Sequence, residues 1–448
     1  MSTRHPGFAR MVTVATATLL VAPAFLAAAA GPSYAADAPY GVGLFGSQDP
    51  TYDGVYRQGL SILALDASGA QVPTDSVTWL LGQQCSDGGF TSYHAPGDRC
   101  GDARDSNATS MAAMALYRVG HPTDAGRAIE WLLGHQLPNG GWEYSAGWGG
   151  DANSTALAVQ ALLAAGMLPD EMPASGGNTP YDFLSTLQLG CDATPQQRGA
   201  FDYQAEDPLA PNDYATVQAV QALAGSTLPV EPGPVAAGAG SPVCPAVVRT
   251  GTTSDELAGR GAAYLVGRLA ASGDVIPNAF GPGADLGSTA NAVLALVADG
   301  SGSPQLQTSY QALVDGSAGY TVAHGVVVPA AAAITLLAAH AVGGDLSALG
   351  DGHLVAQLQQ SAAQAPTSGG AGGTGGGTPV PSPSASGTGG HGSTSPRASA
   401  SAATLPATGS ELSLSLSLSL AAVALLGSGL VLLRLGRRPT TTPTKGSS

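Results

Sequence analysis

Between residues 53 and 360 apolar positions recur with the helical period, and the pattern itself returns in blocks of roughly 40–55 residues. Each block opens on a helix of small residues, and residues 109–119, 155–165, 216–224 and 289–298 are the clearest copies. Asp, Asn or Ser stands before each one: Asp105 and Asn107, Asp151 and Asn153, Asn212 and Asp213, Asp285 and Ser288. Such side chains accept hydrogen bonds from the free N–H groups of a first helical turn. Most blocks continue into a second, more amphipathic helix that ends in an aromatic–Leu pair, Trp79-Leu80, Trp131-Leu132, Phe183-Leu184 or Tyr264-Leu265. Weaker copies over 55–65 and over 328–341 with 354–360 bring the count to six helix pairs.

Units of this size cannot bury their apolar faces alone and must stack on one another. Alanine-rich helices can pack closely along their neighbours, and the bulkier second helices can cover them from outside. The pattern therefore predicts an all-α fold, an (α/α)6 toroid occupying most of residues 36–364. It is closed on itself, so that no unit is left with an open face.

The flanks have a different character. Arg4, His5 and Arg10 precede an apolar stretch over 11–30, and Ser33 and Ala35 offer a small-residue cleavage site, so residues 1–35 are expected to be a secretory signal peptide. Residues 365–404 are rich in Gly, Ser, Thr, Ala and Pro, with Arg397 their only charge. They cannot bury a core and are expected to form a disordered stalk with a root-mean-square span of ~35 Å. Residues 410–433 are long and apolar enough to cross a bilayer as a helix. Arg434, Arg437 and Arg438 open a basic tail, 434–448, that would hold that end in the cytoplasm.

Charge narrows the partners. From Ala36 to Thr408 ten arginines and no lysine face thirty acidic residues, a formal charge of −20. No basic patch is offered to nucleic acid or anionic lipid. Cys85, Cys100, Cys191 and Cys244 all lie in the exported region, where an even count favours disulfides. Four cysteines allow three pairings. The sequential one, Cys85–Cys100 with Cys191–Cys244, is favoured because each bridge then staples one excursion between helices, worth ~3 and ~4 kcal/mol for loops of those lengths. Neither Cys-x-x-Cys nor a histidine at ligand spacing supports a zinc site.

Two resemblances follow. Leu405-Pro406-Ala407-Thr408-Gly409, followed by the apolar run and the arginines, resembles the LPXTG-type sorting signal of Gram-positive wall-anchored proteins. In that family a sortase cysteine attacks the Thr carbonyl, here Thr408, Gly409 leaves, and a peptidoglycan precursor takes over the acyl group. The implied partners are thus sortase and peptidoglycan. Trp131-Leu132 with Gln136, Gly140 and Trp142, and Trp79-Leu80 with Gln84, Gly88 and Phe90, resemble the QW repeat of squalene cyclases and of the β-subunits of protein prenyltransferases. Phe183-Leu184, Gln188, Gly199 and Phe201 form an interrupted third copy, and Tyr264-Leu265, Gly273 and Phe280 a decayed fourth. The cobalamin carriers and the complement thioester domain share that toroid. The motif itself has a scaffold role on physical grounds: the Gln amide bonds a neighbouring helix end, the Gly allows a sharp turn, and the aromatic ring plugs the gap between units.

In toroids of this family the inner-helix N-termini face the cavity mouth. The resemblance therefore makes Asp102, Asp105, Asn107, Asp151, Asn153, Asp213, Asp285 and Ser288 the candidate ligand-binding residues, against ordinary capping as the plainer reading. Family chemistry is not carried over with them. Asn153 stands where a prenyltransferase has its zinc-ligating Cys, and Asp102-Ala103-Arg104-Asp105 lacks a carboxylate of the cyclase acid cluster. An arginine beside carboxyls makes them poorer acids. The expectation is an exported surface protein, covalently anchored to peptidoglycan, whose non-catalytic, monomeric toroid binds an extracellular ligand without a cofactor. The alternatives are a corrinoid-like cofactor binder, by resemblance to the cobalamin carriers, and an enzyme. That enzyme would be either a diverged cyclase or prenyltransferase, or a polysaccharide-cleaving toroid using groups such as Glu130, Glu143, Tyr144, Tyr203 and Glu206. Asp87, Asp98, Asp102 and Asp105 crowd one loop and raise Ca²⁺ as a further alternative.

Overall fold

The computed structural model describes residues 40–238 and 253–363. The expected signal peptide, Cys244, the expected stalk, Leu405–Gly409, the apolar run and the basic tail lie outside the described residues. Among those described are twelve α-helices and three two-stranded hairpins. The odd helices are α1 (Gly54–Ala67), α3 (Ser106–Arg118), α5 (Ala152–Ala164), α7 (Asp213–Leu223), α9 (Leu286–Asp299) and α11 (Pro329–Ala341). Each packs on the next, and α11 packs on α1, so the six close a ring. The even helices are α2 (Thr74–Gly82), α4 (Pro122–Gly134), α6 (Pro180–Leu187), α8 (Ser254–Ala271), α10 (Ser303–Thr321) and α12 (Leu354–Gln360), each packed on the odd helix before it. No helix among the described residues is long and apolar enough to cross a membrane.

Burial separates the two layers. The odd helices are enclosed along nearly their whole length, which their alanines permit by letting backbones approach. On α4 only Ala125, Ala128, Ile129, Trp131 and Leu132 are buried, a single stripe at helical spacing, while the other side meets water. The inner helices begin about three residues ahead of the threonines taken as their starts, because the capping Asp or Asn, not the Thr, opens the turn.

The threonines have a different task. The hydroxyls of Thr109, Thr155, Thr216 and Thr289 accept the backbone N–H of Phe90, Trp142, Phe201 and Ile276 at 2.9–3.0 Å. Each bond ties an inner helix to the turn that leads into it. Phe90, Trp142 and Phe201 are fully enclosed plugs between units. The Gln84 amide donates to Asp124 O at 2.8 Å and the Gln188 amide to Leu257 O at 2.8 Å, each reaching the first turn of the next outer helix. The scaffold role of the repeat is thus visible bond by bond. One expectation fails: Phe280 is 60% exposed and plugs nothing, and Ile276, four residues earlier, fills that place. The β3 (Ile276–Pro277)–β4 (Ala284–Asp285) hairpin carries Phe280 outward on its loop.

Cys85 and Cys100 are bonded to each other, as the sequential pairing requires, and Cys191 is not a free thiol. The ring is sealed by main-chain bonds from Gly43 N–H to Ala363 O (2.7 Å), Ala363 N–H to Leu44 O (2.9 Å) and Gly46 N–H to Ser361 O (2.9 Å).

Candidate functional site

The candidate carboxylates are first of all caps. Asp105 accepts from Ala108 N–H at 2.9 Å, Asp151 from Ser154 N–H at 2.7 Å, and Asp285 from Ser288 N–H at 2.9 Å. Ser154 and Ser288 also donate their hydroxyls to the same aspartates at 2.7 Å. Asp213 is turned away from the ring axis. Asn212 is the cap of α7, so Asp213 points to α8, where it accepts from the Tyr264 hydroxyl (2.6 Å) and Arg268 Nε (2.9 Å). Asp102 is exposed, and Asp87 is paired with Arg104 at 3.0 Å. The acidic loop does not gather its carboxylates: among the described residues no group of three or more His, Cys, Asp or Glu has a metal-holding arrangement.

The inward face is found by counting. Thr109, Thr155, Thr216 and Thr289 face outward, toward the turns they bond. A residue two positions earlier lies about 200° round the helix, toward the ring axis. Those positions hold Asn107, Asn153, Tyr214 and Gly287. In α1 Gln58 takes the outward role by accepting Phe45 N–H at 2.9 Å, which places Tyr56 inward. A Cβ on Gly287 would stand 2.8 Å from the Tyr320 hydroxyl, so a phenol from the end of α10 occupies that space.

Five tyrosines meet at this end. Burial raises the Tyr56 phenol above its ordinary pKa, with the Asp105 charge adding to it. Burial likewise raises Tyr144 and Tyr203, with Asp105 acting on the first and Asp151 on the second. Tyr214 is raised by burial first, with Tyr56, Tyr203, Asp151 and Asp285 adding to it. Burial and Asp285 raise Tyr320. All five stay neutral phenols at physiological pH, each able to donate and to accept one hydrogen bond. Burial also raises two of the caps. Asp105 goes up despite bonds from Ala108, Ser92 and Tyr144, and Asp151 is pushed up to about 7.

Two amides in the first turns of α3 and α5 have buried atoms without partners. Asn153 is fully enclosed, and neither its Oδ1 nor its Nδ2 has a hydrogen-bond partner; Asn107 Oδ1 is in the same state. A buried polar atom left so costs roughly 1–3 kcal/mol. Further along the axis the Gln160 amide approaches Gln218 Oε1 at 3.5 Å, and Gln218 donates to Asn291 Oδ1 at 3.1 Å, linking α5, α7 and α9. Of the candidate residues the structure brings Asp105, Asn107, Asp151, Asn153, Asp285 and Ser288 to one end and leaves Asp102 and Asp213 outside. Tyr56, Tyr214 and Tyr320 were not anticipated. Their signal was faint: Tyr56 and Tyr214 each sit two residues before the position that bonds the turn.

No family model matches the chain, and no curated protein matches it. Among solved structures it is similar to a protein from Actinoplanes, with 16% identity, 72% of this chain and 91% of that one covered, and a TM-score of 0.41. It is also similar to ent-copalyl diphosphate synthase from Streptomyces platensis, at 18% identity, 65% and 50% coverage and a TM-score of 0.43. A third is the type II terpene cyclase MstE from Scytonema in its apo form, at 17% identity, 63% and 74% coverage and a TM-score of 0.41.

Proposed function

We propose that this chain is an exported binding protein, attached to peptidoglycan through Thr408 by a sortase, whose helical ring is a monomeric, non-catalytic head that takes an extracellular ligand at the tyrosine-lined end. The carrying observation is Asn153, fully enclosed in the first turn of α5 with a donor and an acceptor both unpaired. A folded chain gains nothing in stability from such an amide. A ligand group reaching it would satisfy both atoms. Tyrosines suit the same task, offering large contact surfaces that lose little conformational freedom on binding. The signal peptide, stalk and sorting signal support display outside the cell.

Two measurements test the two halves. In the producing cell Thr408→Ala should move the protein from the muramidase-released wall fraction to the membrane fraction; unchanged wall attachment would remove the sortase half. A screen of extracellular ligands against the purified protein should find one whose binding is lost in Tyr214→Ala with folding retained. If Tyr214→Ala leaves every detected ligand bound as before, the ring end is not the binding site.

A second reading rests on Asp151. A buried carboxyl that exchanges its proton near pH 7 has the property wanted of a general acid. Turnover of any substrate, abolished in a folded Asp151→Asn variant, would favour an enzyme over a binder.

A further inference from the structure

Three large aromatic side chains stand in water around the tyrosine-lined end. Tyr52 lies just before α1 and is 68% exposed, Trp148 lies in the loop of the β1 (Trp142–Glu143)–β2 (Gly150–Asp151) hairpin and is 41% exposed, and Phe280 is 60% exposed. Each belongs to the segment that leads into an inner helix, α1, α5 or α9, so all three rim the end where the five phenols meet. The Trp148 loop is held rigidly. Its ring packs edge-on against Tyr144 at 5.7 Å. The Gln204 amide donates to the carbonyls of Trp148 (3.0 Å) and Gly149 (3.2 Å). Glu143 Oε2 accepts the N–H groups of Gly147 (3.0 Å) and Gly149 (2.9 Å). So many bonds fix an aromatic ring in an exposed position, where it adds nothing to the core.

We propose that this rim and the phenols within it bind a neutral glycan chain, an inference that rests on reading the ring as a binding head. A sugar ring presents an apolar C–H face and an edge of hydroxyls. The face packs against an exposed aromatic ring such as Trp148, and the edge turns toward the phenols. Each hydroxyl donates and accepts, which matches the neutral, partly exposed phenols of Tyr144, Tyr203 and Tyr214. Charge selects among glycans. The head is strongly acidic as a whole, with thirty acidic residues against ten arginines between Ala36 and Thr408, so uronates, sialic acids and sulfated sugars are disfavoured. A protein or acyl-chain partner calls for a contiguous apolar patch. Here the aromatics stand singly around a polar centre.

The test uses the purified full-length protein on an array of neutral oligosaccharides (glucans, mannans, galactans and chitin oligomers) beside sialylated, uronate and sulfated ones. The expected result is retention of a neutral glycan and at least tenfold weaker binding in Trp148→Ala, with the melting temperature of that surface variant unchanged. No retention of any neutral glycan, or preference for anionic ones, overturns the proposal. A protein ligand bound through Trp148 would also overturn it while leaving the binding head intact. A neutral glycan that is bound and then cleaved would uphold the glycan and overturn the non-catalytic reading.

Discussion

The backbone N–H of Trp142 donates to the Thr155 hydroxyl at 2.9 Å, and this one bond joins the turn entering α5 to the helix itself. Both partners are enclosed, so Thr155→Val would leave the N–H of Trp142 unpaired at almost unchanged volume. The expected loss is ~1–3 kcal/mol, read from the urea midpoint, with Thr155→Ser close to wild type.

Gly140 adopts a φ of +95°, and a Cβ placed on it would stand 2.3 Å from Thr179 O. Backbone cannot yield as a side-chain tip can. Gly140→Ala is expected to cost more than ~2 kcal/mol, whereas Gly177→Ala, also at positive φ but with open space around it, should cost ~1 kcal/mol. Equal effects in a denaturation series would contradict the steric account.

Asp151 has a folded-state pKa of about 7, raised by burial above that of an unfolded aspartate. Between roughly pH 4 and 7 the native state therefore binds the extra proton, and stability is greatest below that window. It should fall as pH rises toward 7 and level off above. Asp151→Asn keeps an acceptor for Ser154 N–H and should flatten that part of the profile, measured as urea midpoint against pH. The raised Asp105 contributes with the same sign, and Asp87, lowered with Arg104 at its side, with the opposite one.

Asn153→Leu exchanges two unpaired polar atoms for a side chain of similar size. Stability should rise by ~1 kcal/mol or more in thermal or chemical unfolding, while ligand binding falls. A destabilised variant would mean that the amide has a partner in solution and serves the fold.

Removing the Cys85–Cys100 bridge, which closes a 15-residue separation, should lower stability by ~3 kcal/mol in the double Ser variant.

The parts of this protein that repeat were legible in its sequence, and the parts that converge were not. Gln84, Gly88 and Phe90 declare one another by spacing, since each acts on its own unit or the next. Tyr56, Tyr214 and Tyr320 come from α1, α7 and α10, and only closure of the ring brings them together. The caps were recognisable as residue types, but Asp213 differs from Asp151 only by standing one place later, and that 100° turn sends it to Arg268. Ile276 in place of Phe280 was hidden because Gly273, Asp274 and Gly283 all take positive φ there, so the motif's spacing marked no single turn.

The first turn of the ring, Gly43 to Gly46, finds its main-chain partners in Ser361 and Ala363, the last residues of the ring. A chain emerging from its N-terminal end can stack helix on helix, but α1 keeps one flank bare until α11 has been made. The circle is therefore finished only when nearly all of its residues are present. Loss of the segment from Leu354 onward would leave α11 still against α1 but strip Gly43, Leu44 and Gly46 of the main-chain partners that clasp them.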